Sequence, residues 1–145
     1  MRILGIDFGS KSIGLAVSDE TGMLARGLKV IPKQEWEKEI PAVVQEYNIG
    51  VIVVGLPRTM QNTDSYQTER TLSFIDRLKE LTGCAVTKWD ERLSSRVAER
   101  YLLEADMSRG KRKKVIDRLA AQVILQDYLD FSRKTDYGLK EAEEM

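Results

Sequence analysis

The sequence predicts a mixed α/β sheet domain: five strands, the first three antiparallel and the last two parallel, with helices on both faces. Three observations lead there. Short apolar runs with a period of two crowd the first 31 residues. After that, runs with helical spacing alternate with short β-branched runs, the pattern of strand-helix-strand crossovers and therefore of parallel pairing. The chain also ends on two segments of helical character, enough to cover a second face.

The first strand is Ile3, Leu4 and Ile6, ending on Asp7; Phe8-Gly9-Ser10-Lys11 turns the chain into a second strand, Ser12 to Val17. That second strand places Ile13, Leu15 and Val17 on one side and the smaller Ser12, Gly14, Ala16 and Ser18 on the other. Small side chains admit a close neighbour, and a packed helix is the simpler one to expect. Asp19 to Gly22 reads as a turn, and Met23 to Ile31 as a third strand with Leu24, Leu28 and Val30 on one face.

Pro32 closes the meander, and Trp36, Ile40, Val43, Val44 and Tyr47 recur at helical spacing. Pro41 is awkward inside that helix, because its ring removes a hydrogen bond and crowds the preceding turn; a start near Glu39 or a kink is expected. Ile49 to Val54 is a buried strand ending at Gly55-Leu56-Pro57, followed by a polar loop from Arg58 to Thr63. Asp64 or Ser65 caps a helix that turns Leu72, Ile75, Leu78 and Leu81 inward and stops at Gly83. Ala85 to Trp89 is the fifth strand, ending on Asp90-Glu91. Helices are expected at Ser94 to Glu104 and Val115 to Phe131, then a charged, frayed tail over about residues 132–145. Without repeats or linkers, 145 residues read as one domain.

Composition narrows the chemistry. The chain has no histidine and one cysteine, Cys84, so an internal disulfide and a thiolate zinc cluster are excluded and the commonest metal ligand is missing. No run approaches a membrane span and no secretory signal is visible, which predicts a cytoplasmic protein. Net charge is zero, with 23 basic and 23 acidic residues, so any nucleic-acid signature must be local. One exists: Lys88 to Arg118 carries ten basic and six acidic residues, a surplus of +4.

Three acidic positions fall at element ends. Asp7 closes the first strand, Asp90-Glu91 closes the fifth, and Asp117 opens the last helix at the head of a stripe containing Ala120, Ala121, Ile124 and Tyr128. Parallel strands present their C-terminal ends at one edge, where α/β sheets hold ligands. Each acid also has an ordinary explanation: Asp7 as an acceptor for turn amides, Glu91 as a partner of Arg92 or Arg96, Asp117 as a first-turn acid favoured by the helix dipole. Their convergence favours a hard cation with oxygen ligands, Mg²⁺ or Mn²⁺. Neighbouring strand residues face opposite sides, so either Asp90 or Glu91 fits as the ligand. The basic run Arg109, Lys111, Arg112, Lys113 and Lys114 directly precedes Asp117, and cations beside a divalent-metal site suit a phosphodiester.

Four blocks, GIDFGSKSIGLAVSD, VIVVGLP, WDERLSS and KRKKVIDRLAAQVILQDYL, resemble in order the motifs of the YqgF family, the RuvX or Holliday-junction-resolvase-like group of the RNase H-like superfamily. The resemblance spans nearly the whole chain. It implies an RNase H-like fold and a nuclease associated with 5′-end maturation of the small-subunit ribosomal RNA precursor, with branched DNA as the lesser candidate. It also implies Asp7, Glu91 and Asp117 as metal-binding acids, with Arg109 to Lys114 at the substrate. Ser10, Lys11 and Arg92 are then expected to hold the phosphate backbone.

The chain departs from that pattern at two places. Relatives often carry a glycine in the loop where this chain has Met60-Gln61-Asn62-Thr63, and RuvC-type resolvases carry a further aspartate where this chain has Ala120. Two rivals stand beside the nuclease: a non-catalytic RNA-binding ribosome-assembly factor, and a nucleotide-binding protein, because GIDFGS also resembles the phosphate hairpin of actin-like ATPases and sugar kinases. The latter need two such domains, and this chain supplies one. A ribosomal or assembly-factor partner is compatible with the first rival; oligomeric state is open.

Overall fold

The computed structural model describes residues 1–9, 11–56, 65–90 and 118–132. Among them are five strands, β1 (Arg2–Phe8), β2 (Ser12–Ser18), β3 (Ala25–Pro32), β4 (Ile49–Leu56) and β5 (Ala85–Asp90). The helices are α1 (Trp36–Glu46), preceded by a 3-10 turn at Lys33–Glu35, α2 (Ser65–Thr82), and α3 over residues 118–132. The expected helix at Ser94 to Glu104, the start of the last helix at Val115 and the tail from 133 onward lie outside the described residues.

The strands form one sheet in the order β3-β2-β1-β4-β5. β1 pairs antiparallel with β2, and β2 with β3; β1 pairs parallel with β4, and β4 with β5. This is the mixed sheet that the hairpins and crossovers predict. The first hairpin is closed by the Gly9 N–H, which donates to the Ser12 carbonyl at 3.0 Å. A β-carbon on Gly9 would stand 2.6 Å from that oxygen, so the turn admits no side chain there.

Strand alternation sorts the core into two layers. Leu4, Ile6, Phe8, Ile13, Leu15, Val17, Ile52 and Val54 face α1 and α2, where Ile40, Val43, Phe74, Ile75 and Leu78 complete a buried cluster. Among the described residues the opposite face is thinner. There Ala16 and Val53 meet Ala121, Ile124, Leu125 and Leu129 of α3. The small residues of β1 and β2 on this side are what let α3 in, as the composition of β2 suggested.

Two local expectations change. β3 begins at Ala25, and its register shifts against β2 between Leu15 and Ala16, so Leu15 faces Lys29 while Ala16 faces Gly27. The extra residue resets the alternation so that Ile31 is buried, while Leu24, in the turn ahead of the strand, is 67% exposed. α1 begins at Trp36 and runs through Pro41. The proline removes only the bond to the Glu37 carbonyl, and Glu37 is exposed, so the loss falls at the surface and not in the core. The α2 stop is as read, with the Gly83 N–H donating to the Lys79 carbonyl at 2.9 Å.

Candidate functional site at the C-terminal rim of the parallel strands

β1, β4 and β5 run the same way, so their C-terminal ends form one rim of the sheet. Asp7 lies in this rim. Its register partners are Gly14 on β2 and Gly55 on β4, and Gly55 in turn faces Trp89 on β5. Partners in register present their side chains on the same face, so the half-buried Asp7 has a glycine on each side and no lateral side chain competing for its position. One residue further along β5, Asp90 pairs with Leu56 at the same rim.

Asp7 belongs to the α3 face. Ile3 packs in the α3 cluster, and a β-carbon on Gly5 would stand 2.7 Å from Leu125 Cβ and 3.2 Å from the Ala121 carbonyl. Asp7 is two residues further along the same strand and shares their side. The first described residue of α3, Arg118, lies with its stem against Gly27 on that same face. α3 is held there by Gln122, which accepts the Gly27 N–H at 3.0 Å, and by Gln126, which accepts the Ala25 N–H at 2.8 Å and donates to the Met23 carbonyl at 3.0 Å. These glutamines, four residues apart, are polar positions whose role the apolar stripe did not reveal.

Of the other expected site residues, Lys11 is exposed in the turn after β1, and its carbonyl accepts the Lys33 N–H at 3.1 Å. Ser10, Glu91, Arg92, Arg109, Lys111, Arg112, Lys113, Lys114 and Asp117 lie outside the described residues, as does the loop at Met60 to Thr63. Among the described residues no group of three His, Cys, Asp or Glu side chains is placed to hold a metal. Ala120, at the position of the further resolvase aspartate, is buried at 2% exposure.

Phe8, next to Asp7, points to the other face. It stacks on Phe74 with ring centres 4.3 Å apart, and Trp36 meets Phe74 edge-on at 4.7 Å. Lys33 Nζ sits 4.2 Å from the centre of the Phe8 ring. Sequence reasoning missed this cluster, because its members lie far apart in the chain and meet only when α2 docks beside the ends of β1 and β3.

No helix among the described residues is long and apolar enough to cross a membrane. Structural comparison supports the fold. The RuvC of T. thermophilus in complex with Holliday junction substrate aligns with a TM-score of 0.50 and 20% identity, over 86% of this chain and 92% of that one. The fowlpox virus resolvase with Holliday junction DNA aligns with a TM-score of 0.55 and 14% identity, over 90% and 97%. At such identities the likeness is one of architecture, and that architecture is RNase H-like.

Sequence relatives are much nearer. A protein of Clostridioides difficile strain 630 is 51% identical over 133 residues, covering 90% of this chain and 94% of its own. One of Desulforamulus reducens is 48% identical over 137 residues, covering 92% and 100%. Both bear the name "Putative pre-16S rRNA nuclease". The model of the RuvX family, described as Holliday junction resolvase, matches residues 1–131, a span that takes in Asp7, the parallel rim and all but the last residue of α3; the chain belongs to the RuvX family.

Proposed function

We propose that this protein is a metal-dependent nuclease that hydrolyses phosphodiester bonds in the 5′-end maturation of the small-subunit ribosomal RNA precursor, in the cytoplasm. The observation that carries the reading is the place of Asp7, at the C-terminal rim of β1 between Gly14 and Gly55. The substrate class is supported by the name shared by relatives that align over nearly their whole length.

Asp7, Glu91 and Asp117 would hold Mg²⁺ or Mn²⁺: the donors are all carboxylate oxygens, the chain has no histidine, and Cys84 is turned toward the Ile49 carbonyl at the start of β4. Such ions, when bound, supply an acidified water and neutralise charge at the scissile phosphate. The chain's own residues orient the strand. Lys11 and Ser10 in the β1–β2 turn, Arg92 after β5, and Arg109 and Lys111 to Lys114 before α3 would grip phosphates on either side of the scissile bond. Water adds to phosphorus as the bond to the 3′ oxygen breaks, leaving a 5′-phosphate and a 3′-hydroxyl. No covalent enzyme intermediate is needed.

The description of the family favours a second reading, cleavage of branched DNA. Against it stands Ala120, which brings no carboxylate to α3 where RuvC-type resolvases have one.

The test gives purified protein, with Mg²⁺ or Mn²⁺, a 5′-extended precursor rRNA and a four-way DNA junction. Shortening of the RNA 5′ end, lost on adding EDTA and in Asp7→Asn, is expected. Intact RNA with both metals, or full activity in Asp7→Asn, overturns the reading; cutting of the junction alone supports the second. RNA binding that persists in EDTA and in Asp7→Asn, without cleavage by the unaltered chain, would identify an assembly factor.

A further inference from the structure

The turn that follows Asp7 leads to a second cationic surface on the opposite side of the sheet. Phe8, Phe74 and Trp36 form the aromatic wall of a 430 Å³ cavity. Lys33, Arg70 and Arg77 line it, with Ser73 between the two arginines and Glu69 as the single carboxylate. Three cations face one acid in the lining itself, and Glu37 and Glu80 reach Arg77 from outside it. Arg70, Ser73 and Arg77 are all exposed, one above the other along α2.

The charges are arranged for an anion. Lys33 has a pKa below that of an ordinary lysine, first through burial and then through repulsion from Arg70, so two like charges share one space. Arg77 is already engaged by Glu37 at 3.6 Å and Glu80 at 3.2 Å, but both pairs are solvent-exposed and weakened by salt. The cavity is also tied to the candidate site. Phe8 is the residue after Asp7, and the Lys33 N–H is bonded to the Lys11 carbonyl in the β1–β2 turn.

We propose that the Lys33–Arg70–Arg77 cavity binds a phosphate group of the same polynucleotide strand that is presented to Asp7, so that the strand is gripped on both faces of the sheet rim. The proposal rests on the nuclease reading for the identity of the strand, though the binding itself requires no cleavage. The aromatic wall is not a stacking platform, because Phe8 is covered by Phe74 on one side and Lys33 on the other. It is an apolar backing that keeps water off one side of the cations and so strengthens their attraction to a phosphate.

The test is fluorescence anisotropy with a labelled single-stranded RNA oligonucleotide in EDTA, using the full chain with Asp7→Asn so that no cleavage intervenes. Arg70→Gln, and Lys33→Met with Arg70→Gln, are added to this background. Methionine keeps an apolar stem over Phe8, and Arg70 is exposed, so both variants are expected to keep the parent's thermal midpoint. Each lost phosphate contact weakens binding roughly five-fold at 0.1 M salt and makes the salt slope shallower by about 0.7. Arg26→Gln, six residues before Pro32 on β3 and about 20 Å away along the strand, leaves both unchanged. The proposal is overturned by wild-type affinity and slope in both cavity variants, by equal weakening in Arg26→Gln, or by no RNA binding in the parent. Cavity variants that lose affinity for inorganic phosphate but not for RNA point to a free anion and overturn it too. If RNA binds through Arg70 but the unaltered chain never cleaves, the nuclease reading fails and this one stands.

Discussion

Gly5 on β1 and Leu125 on α3 are packed so closely that a methyl group on the glycine would stand 2.7 Å from the leucine Cβ. The helix backbone is just behind, with the Ala121 carbonyl at 3.2 Å, so α3 cannot yield by rotating one side chain. Gly5→Ala should therefore destabilise the fold by about 1–3 kcal/mol, the usual cost of overpacking a tight interface. A lower midpoint in a circular-dichroism melt checks this; an unchanged midpoint means α3 is less firmly seated than its contacts indicate.

Asp7→Asn removes a charge from the rim without changing shape. Cleavage should drop by about a hundred-fold or more, since the loss of even a supporting group around a metal costs up to that much. Single-turnover kinetics on precursor rRNA, with the melt recorded on the same sample, separates lost chemistry from lost structure. Residual cleavage within ten-fold of the parent would leave Asp7 as a turn residue.

Phe74 is 5% exposed and touches both Phe8 and Trp36. Phe74→Ala should cost about 3–5 kcal/mol of stability, through lost burial and the cavity left behind. Phe74→Leu should cost less. Chemical denaturation gives both values, and equal midpoints for the two variants would show that the ring stack, and not side-chain bulk, carries the stabilisation.

Asp19 organises the β2–β3 turn. Its pKa lies below the ordinary 3.8, chiefly because its carboxylate accepts the Met23 N–H at 2.9 Å; desolvation opposes this, and the hydrogen bonds from Thr21, Leu24 and Gly22 add to the lowering. A carboxyl whose folded pKa is depressed stabilises fully above its unfolded value, and that stabilisation is lost as pH falls through the folded value. Amide exchange protection at Met23 and Leu24 should therefore be level above about pH 5 and decline below 3.8. In Asp19→Asn this pH dependence should disappear; its persistence would assign the titration to another group.

Gln122 and Gln126 cover backbone groups of the edge strand β3. Replacing both with alanine should cost about 2–4 kcal/mol, counting roughly 1 kcal/mol for each of three hydrogen bonds and some exposed edge. The double variant should also show faster exchange at the Ala25 and Gly27 amides. Protection unchanged there would mean that water serves the edge as well.

How much of this was legible beforehand depended on the range of the interaction. The antiparallel pairing of the first strands followed from period-two runs, the parallel pairing of the later ones from the helical crossovers, and the close seat of α3 from Gly14, Ala16, Ala120 and Ala121, because small residues on one face leave room that something must fill. Asp7 was legible as the acid at a strand end. The bulge opposite Leu15 and Ala16 was not, because a register shift is set by cross-strand pairing that no local run encodes. Nor was the Lys33, Arg70 and Arg77 group, whose members are separated by up to 44 positions and meet only when α2 docks beside the end of β3. The start of α1 ahead of Pro41 reflects burial of Ile40 and Val43 outweighing one lost backbone bond.

Asp7 and Phe8 leave the same strand in opposite directions, one toward the α3 face and the other into the aromatic wall. Parity along β1 thus decides which side of the molecule carries the acid and which carries the ring. Removing one residue between Ile3 and Asp7 would exchange them, sending a carboxylate into the core and a phenyl ring to the rim. A one-residue change in β1 turns every side chain after it to the other face of the sheet. This stretch of seven residues should therefore be unforgiving of any change in length by one.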